Sequence, residues 1–565
     1  MLLHTTLTAL IAAVALGLEA GAVPTSSSAS SSSNGSSSSS NAPIVDLGMA
    51  GKWKGVVQNN GTVHSWKAIP YAAPPVGDLR FKAPRALAAQ NSSVQDVSAD
   101  FDGQPTACVQ FGTSSFVGVN AGPGQEDCLK LWIWAPAGAK KGDRLPAQVY
   151  THGGGMQNSQ SPNNDFADWV GQDQGFIAVN ANFRLGALGF FNSEGAAHEG
   201  EPANVGLLDS RFAVDWVKAN IAKFGGDPNN IAISGQSGGG GAIMTQLILY
   251  DGKKPNFDKA IPRSIQNYAS YPVKELTPRN DAFAASLNCT DSASTKSGAQ
   301  KQLACLRKVP AETIRLAALD FGKTKQANGF SWQGWLPSID GKTLTDQPVR
   351  LFHNGKVAKV PVMAAHVTNE IVRLNPHPNA NFTALATTTV GSGIDDALLS
   401  DIERIYSAPS VNASADTNTY KNEDERGYQF LNDNAANGGA YMVTTGYAKA
   451  GLPAYTVRFN SPYYLQNATS TMNATQEAVA YEWRAYVKSF IKHSDPNKSR
   501  LPTSPVWHPA SSEYRYLPRL VVSQALVAAA NETAPTTSGM EVVPANEWDR
   551  LAWWMSEEVA AKTRQ

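Results

Sequence analysis

Short apolar runs alternate with longer stretches in which apolar residues recur every three to four positions. Residues 145–150 and 176–182 read as strands. Residues 209–224 carry Phe212, Trp216, Val217 and Ile221 along one side, the spacing of an amphipathic helix. Residues 230–234 form another strand pattern, and a helical pattern opens directly behind it at Ser237. Residues 360–365 and 454–459 are strand-like again, and residues 548–561 predict a helix that docks back on the body. Strand and helix in alternation imply an α/β fold: a central, mostly parallel sheet with helices on both faces. Beyond about residue 250 the pattern is looser and more helical, as large helical and loop insertions would make it. Near the start, Asn59-Asn60-Gly61 predicts a hairpin turn between two early strands.

The ends of this pattern carry addresses rather than structure. Residues 7–18 are a short apolar run, and Ala20-Gly21-Ala22 is a small-residue cleavage pattern, so residues 1–22 are expected to be a signal peptide. A dozen apolar residues fall short of the ~20 that a spanning helix needs, so no transmembrane segment is expected. Residues 23–43 are dominated by serine, cannot bury apolar area and are expected to be a disordered linker. The folded domain then runs over 44–565, and the protein is expected to be secreted and extracellular. Asn-X-Ser/Thr sequons at Asn34, Asn60, Asn91, Asn288, Asn381, Asn412, Asn467, Asn473, Asn497 and Asn531 agree with a glycosylated surface.

Composition changes the picture little. Lys+Arg and Asp+Glu both number 47, for a net charge of zero, which gives no argument for a nucleic-acid partner. The four cysteines allow three pairings, and the local one, Cys108–Cys128 with Cys289–Cys305, is expected in an oxidising compartment. Each such loop would stabilise by roughly 3 kcal/mol in the chain-entropy picture.

The sharpest chemical motif is Gly235-Gln236-Ser237-Gly238-Gly239. It lies between a strand and a helix, where a nucleophilic serine sits on a turn so sharp that side chains on either flank would clash. The helix N-terminus behind it presents unpaired N–H groups to a developing oxyanion. Upstream, His152-Gly153-Gly154-Gly155 follows a strand and matches the other half of an oxyanion hole. Gly154, Gly155 and Gly238 are the expected donors, while His152 is expected to pack or hydrogen-bond rather than act in catalysis.

Together with these, further blocks carry a resemblance. Ala68-Ile-Pro-Tyr-Ala-Ala-Pro-Pro-Val-Gly77 with Leu79-Arg80-Phe81, and Glu126-Asp127-Cys128-Leu129, are two of them. Asn182-Phe-Arg-Leu-Gly186, Gly206-Leu-Leu-Asp209, Phe224-Gly-Gly-Asp-Pro228 and Asp495-Pro496-Asn497 are the others. Over most of the chain from about residue 44 it resembles the type-B carboxylesterases, which include acetylcholinesterase-like enzymes and secreted fungal esterases and lipases. The resemblance implies the α/β-hydrolase fold, ester hydrolysis through Ser237, and a bond from Cys128 to an upstream cysteine, for which Cys108 fits. It also implies a triad glutamate just past a late strand, where Thr368-Asn369-Glu370 stands.

Two departures bear on activity. The family elbow is usually Gly-Glu-Ser-Ala-Gly, and Gln236 here removes a negative charge beside the nucleophile. More seriously, the triad histidine should follow residues 454–459, yet the chain holds no histidine between His377 and His493. His377 lies close after Glu370 but is not expected to serve, because a base must reach the serine while the acid reaches the base. Of the others, His366 is expected to pack, His493 and His508 to lie on the surface, and His64, His198 and His353 have no motif around them. Removing the histidine from an analogous triad costs on the order of a million-fold in turnover. No metal site and no nucleotide cofactor is expected. The expected partner is a small-molecule ester or lipid-like substrate. Phe330, Trp332 and Trp335 are left open between a substrate wall and ordinary core.

Overall fold

The computed structural model describes residues 42–89, 93–96, 106–112, 123–253, 255–324, 335–370, 381–391, 394–410, 420–460, 474–511, 517–523 and 537–564. The expected signal peptide, and all of the serine-rich tract except Ala42 and Pro43, lie outside these residues.

Three strands near the start, β1 (Ile44–Asp46), β2 (Lys52–Lys54) and β5 (Val94–Gln95), make a small sheet. Eleven others make the main one. In chain order these are β3 (Val56–Gln58), β4 (Val63–Pro70), β6 (Lys130–Pro136), β7 (Leu145–Thr151), β8 (Ile177–Ala181) and β9 (Gly226–Gln236). They are followed by β10 (Lys259–Arg263), β11 (Val362–Val367), β12 (Ala454–Asn460), β13 (Pro518–Ser523) and β14 (Ser538–Val542). Across the sheet the order is β14-β13-β12-β11-β10-β9-β7-β8-β6-β4-β3. The run from β13 to β8 is parallel throughout, and the strands flanking it at either side are antiparallel.

Every residue of β8 and β11, two inner strands of the sheet, is buried; with both faces covered, they are largely apolar without alternation. Successive residues of β11 serve opposite layers: Val362 and Ala364 join one core cluster, Met363, Ala365 and Val367 the other. The first layer is closed by the helices Val205–Asn220 and Gly238–Gln246, through Leu207, Val214, Val217 and Ile243. The second is closed by Ala167–Asp173 and Ala474–His493, through Trp169, Val170, Trp483, Tyr486 and Phe490. Each such side chain contributes roughly 1.5–3 kcal/mol by leaving water.

Four of the family blocks turn out to supply buried ion pairs beside the first layer. Arg80 pairs with Glu126 at 2.6 Å beside the Cys108–Cys128 disulfide. Arg184 and Asp209 form a fully enclosed pair at 2.7 Å, joining the segment behind β8 to the helix Val205–Asn220. The second disulfide is Cys289–Cys305, so both local pairings are formed.

Some boundaries differ from the sequence reading. The expected hairpin is present, with Asn59 and Asn60 at φ 48° and 53° between the antiparallel β3 and β4. The helix expected over 209–224 begins earlier, at Val205, and tightens into a single turn at Ile221–Phe224. The single helix expected over 548–561 is two, Ala545–Trp554 and Glu557–Thr563. The break comes at Ser556, whose hydroxyl accepts the Val559 N–H and so caps a new helix.

Candidate active site

The candidate residues gather where β7, β9, β10 and β11 end, the edge at which parallel α/β sheets bind ligands. β9 ends at Gln236 and the next helix starts at Gly238, so the chain reverses over one residue. Ser237 takes that turn at φ 57°, ψ −125°, a conformation costing about 1–3 kcal/mol for a residue other than glycine. Three backbone hydrogen bonds hold it there. Ser237 N–H donates to the Arg263 carbonyl (3.0 Å), and the Ser237 carbonyl accepts from Gly241 N–H (2.9 Å) and Gln266 N–H (3.2 Å).

Space explains the glycines. A Cβ on Gly235 would stand 2.5 Å from the Gly239 carbonyl oxygen, and one on Gly238 would stand 2.7 Å from the Gly155 nitrogen. Position 238 therefore has no room for a methyl group. The loop that crowds it leaves β7 at Thr151 and passes through Gly154 and Gly155 at φ 97° and 62°. The Gly154 carbonyl accepts from Gln157 N–H (2.9 Å) and Asn158 N–H (3.1 Å), which pins the loop. A Cβ on Gly153 would reach within 3.2 Å of the Ser237 Cβ. The structure thus brings Gly155 against Gly238 and the loop against the serine. Gly238 opens its helix, so its N–H has no partner within that helix.

Glu370 lies three residues past β11 and turns back on it. Val367 N–H donates to its Oε1 at 2.7 Å, and the Ser264 hydroxyl lies beside it. The residue is partly exposed overall, but its carboxylate is enclosed, and that burial pushes the carboxyl up to about 7. The hydrogen bond from Val367 N–H and the nearby Ser264 hydroxyl pull it back only in part. Ser264 in turn donates its N–H to Ala365 (2.7 Å) and follows Arg263, the residue that holds Ser237. Arg263 thus holds Ser237, and the next residue, Ser264, lies beside the Glu370 carboxyl. The sequence reading missed Ser264 because Lys259-Ala-Ile-Pro-Arg263 does not read as a strand: it carries a proline and is charged at both ends.

Among the described residues, no histidine side chain hydrogen-bonds Ser237. His152 is buried, stacks on Phe183 at 4.8 Å and has Nδ1 2.8 Å from the Gly153 carbonyl; burial lowers it to about 4. His366 is buried on β11 with Nε2 3.3 Å from Arg519 Nη1, and burial with that guanidinium holds it near 3. Both are neutral core residues at any ordinary pH. His64 meets Trp66 edge-on, His353 contacts Glu557 and Lys449, and His493 contacts Ser499. His198 and His508 are exposed. His377 lies outside the described residues, as do Phe330 and Trp332. Trp335 is core, packed on Phe283 at 4.7 Å with Arg279 over its ring.

A sheet of this order with a serine elbow at the end of β9 is an α/β-hydrolase. The model of the carboxylesterase family matches residues 41–531, and the chain belongs to that family. It is similar to a chlorogenic acid esterase of Aspergillus niger, 34% identical over 53% of this chain and 57% of that protein. It is also similar to a secreted triacylglycerol lipase of Gibberella zeae, 30% identical over 54% of this chain and 55% of that protein. The chain thus spans less than two thirds of the length of these curated relatives. The crystal structure of Aspergillus niger EstA shares the fold at a TM-score of 0.76 and 24% identity, over 94% of this chain and 100% of that one. Among the described residues no helix is long and apolar enough to cross a membrane.

Proposed function

We propose that this protein is a secreted carboxylic-ester hydrolase whose folded part, 44–565, is a single hydrolase domain. Ser237 is its nucleophile and Glu370 its triad acid. The observation that carries the reading is the strained Ser237, held at the mouth of the parallel sheet with the glycine loop pressed against it. In this reading Ser237 Oγ attacks the ester carbonyl, and N–H groups of Gly154, Gly155 and Gly238 receive the oxyanion. The departing alkoxide takes up the proton that Ser237 gives up and leaves as the alcohol; water then adds to the acyl-enzyme, releasing the acid and returning a proton to Ser237 Oγ. Family membership, two disulfides and the secreted relative support the class and the compartment. The test is hydrolysis of p-nitrophenyl butyrate by the wild type beside Ser237→Ala. Turnover of several per second that vanishes in the variant supports the reading.

One observation favours a second reading, a catalytically impaired or non-catalytic binding member of the fold. The chain has no histidine between His377 and His493, and His152, His366, His353 and His493 are each bound away from Ser237. Equal inactivity of two folded proteins, wild type and Ser237→Ala, would establish that reading and end the first.

A further inference from the structure

Four of the ten sequons fall on described residues, and their side chains are in two different situations. Asn60 is exposed at the tip of the β3–β4 hairpin. Asn288 is exposed just beyond the helix Thr277–Ser286, at φ 60° and directly before the buried Cys289. Asn381 is exposed at the start of the helix Phe382–Val390, where its Oδ1 accepts the Ala384 N–H at 3.0 Å. An N-linked sugar replaces a hydrogen on Nδ2, so that cap survives attachment.

Asn497 is built differently. Its Nδ2 donates to Asp495 Oδ1 (3.0 Å) and to the Trp507 carbonyl (2.9 Å), while its Oδ1 accepts the Trp507 N–H at 2.7 Å. A side-chain amide has two N–H donors, and both are in use. Trp507 itself is fully enclosed, so a sugar ring on Nδ2 would have to displace core. Sugar transfer in the secretory pathway precedes folding, so a chain modified at Asn497 would lose this clasp and the packing it fixes.

We propose that the folded protein carries N-linked glycans at Asn60, Asn288 and Asn381 and none at Asn497. The proposal rests on the secretion reading, and its test is arranged to be independent of it. The full chain is exported from a eukaryotic host behind a foreign leader, so the native N-terminus is not what delivers it. The purified protein is digested with peptide N-glycosidase in heavy-oxygen water, and the converted asparagines are located by mass spectrometry. Conversion at Asn60, Asn288 and Asn381, with Asn497 unconverted, is the expected result. Thr62→Ala, Thr290→Ala and Thr383→Ala should each remove one glycan from the secreted protein, whereas Ser499→Ala should remove none. Conversion at Asn497 in protein that is folded, or an unmodified majority at any of the other three, overturns the proposal. Failure of the native leader in a parallel export assay would sink secretion and leave the glycan map standing.

Discussion

Glu370→Gln is the substitution that says most about this site. A carboxyl raised from its ordinary 4.5 to about 7 is bound to its proton more tightly in the folded protein than in the unfolded chain. Its contribution to stability is therefore complete below about pH 4.5 and is lost as pH rises through about 7. At ~1.4 kcal/mol per tenfold change in proton affinity, the loss comes to roughly 3 kcal/mol, an upper figure because the residue is partly exposed. Glutamine keeps an oxygen for the Val367 N–H but has no proton to lose. The variant should match wild type near pH 4.5 and exceed it by up to about 3 kcal/mol above pH 7.5. Paired urea unfolding curves at several pH values measure this. A difference that does not change with pH would refute the reasoning, and the failure would be informative. A cation resting on Glu370 would hold its carboxyl low, and the group to look for would be an imidazolium such as that of His377.

Three other perturbations test neighbouring parts of the site. Ser237→Gly removes the cost of a left-handed serine, so it should stabilise by about 1–2 kcal/mol while ester hydrolysis falls to background, read by thermal unfolding and p-nitrophenyl ester turnover. Gly238→Ala places a methyl group against the Gly155 nitrogen, 2.7 Å from where its Cβ would stand. It should displace the oxyanion loop and lower kcat about 100- to 1,000-fold with KM little changed; an active variant would show that the loop yields. Cys289→Ser with Cys305→Ser opens the loop closed by that disulfide. It should cost roughly 3 kcal/mol of stability without altering kcat, because neither cysteine touches the site.

How far the sequence could be read depended on how much each feature is fixed locally. The elbow was legible because Gly235 and Gly238 are demanded by contacts within one turn and with one loop. β7, β8, β11 and β12 were legible because strands buried on both faces have little choice but to be apolar. β10 was not, since Pro262 and the two charged ends obey long-range partners. Lys259, for example, is buried with Nζ donating to the Ile491 carbonyl at 2.8 Å, a contact no local pattern contains. Ser264 went unseen for the same reason. The break at Ser556 escaped because 548–561 keeps helical spacing across it, and one capping hydroxyl decides the matter. Arg80, Glu126, Arg184 and Asp209 stood in the sequence only as members of blocks that carry the resemblance, and the structure pairs them as buried ions.

The site also bears on the choice between an esterase and a binder. Two features there work against folding at neutral pH: the serine at φ 57° and the enclosed carboxyl of Glu370. Each has a simple cure one substitution away, and each cure takes away a group that the proposed hydrolysis uses. They also stand close together in the fold, Ser237 held by Arg263 and Glu370 lying beside Ser264, the next residue. A binding module gains stability from Ser237→Gly and Glu370→Gln and gives up nothing in affinity. An esterase gains the same stability and gives up its rate. Measuring both variants for unfolding and for hydrolysis separates these cases whichever group serves as the base. Stability gained with activity lost points to chemistry at Ser237, and stability gained with no activity in any of the three proteins points to a binder on an unrelaxed elbow.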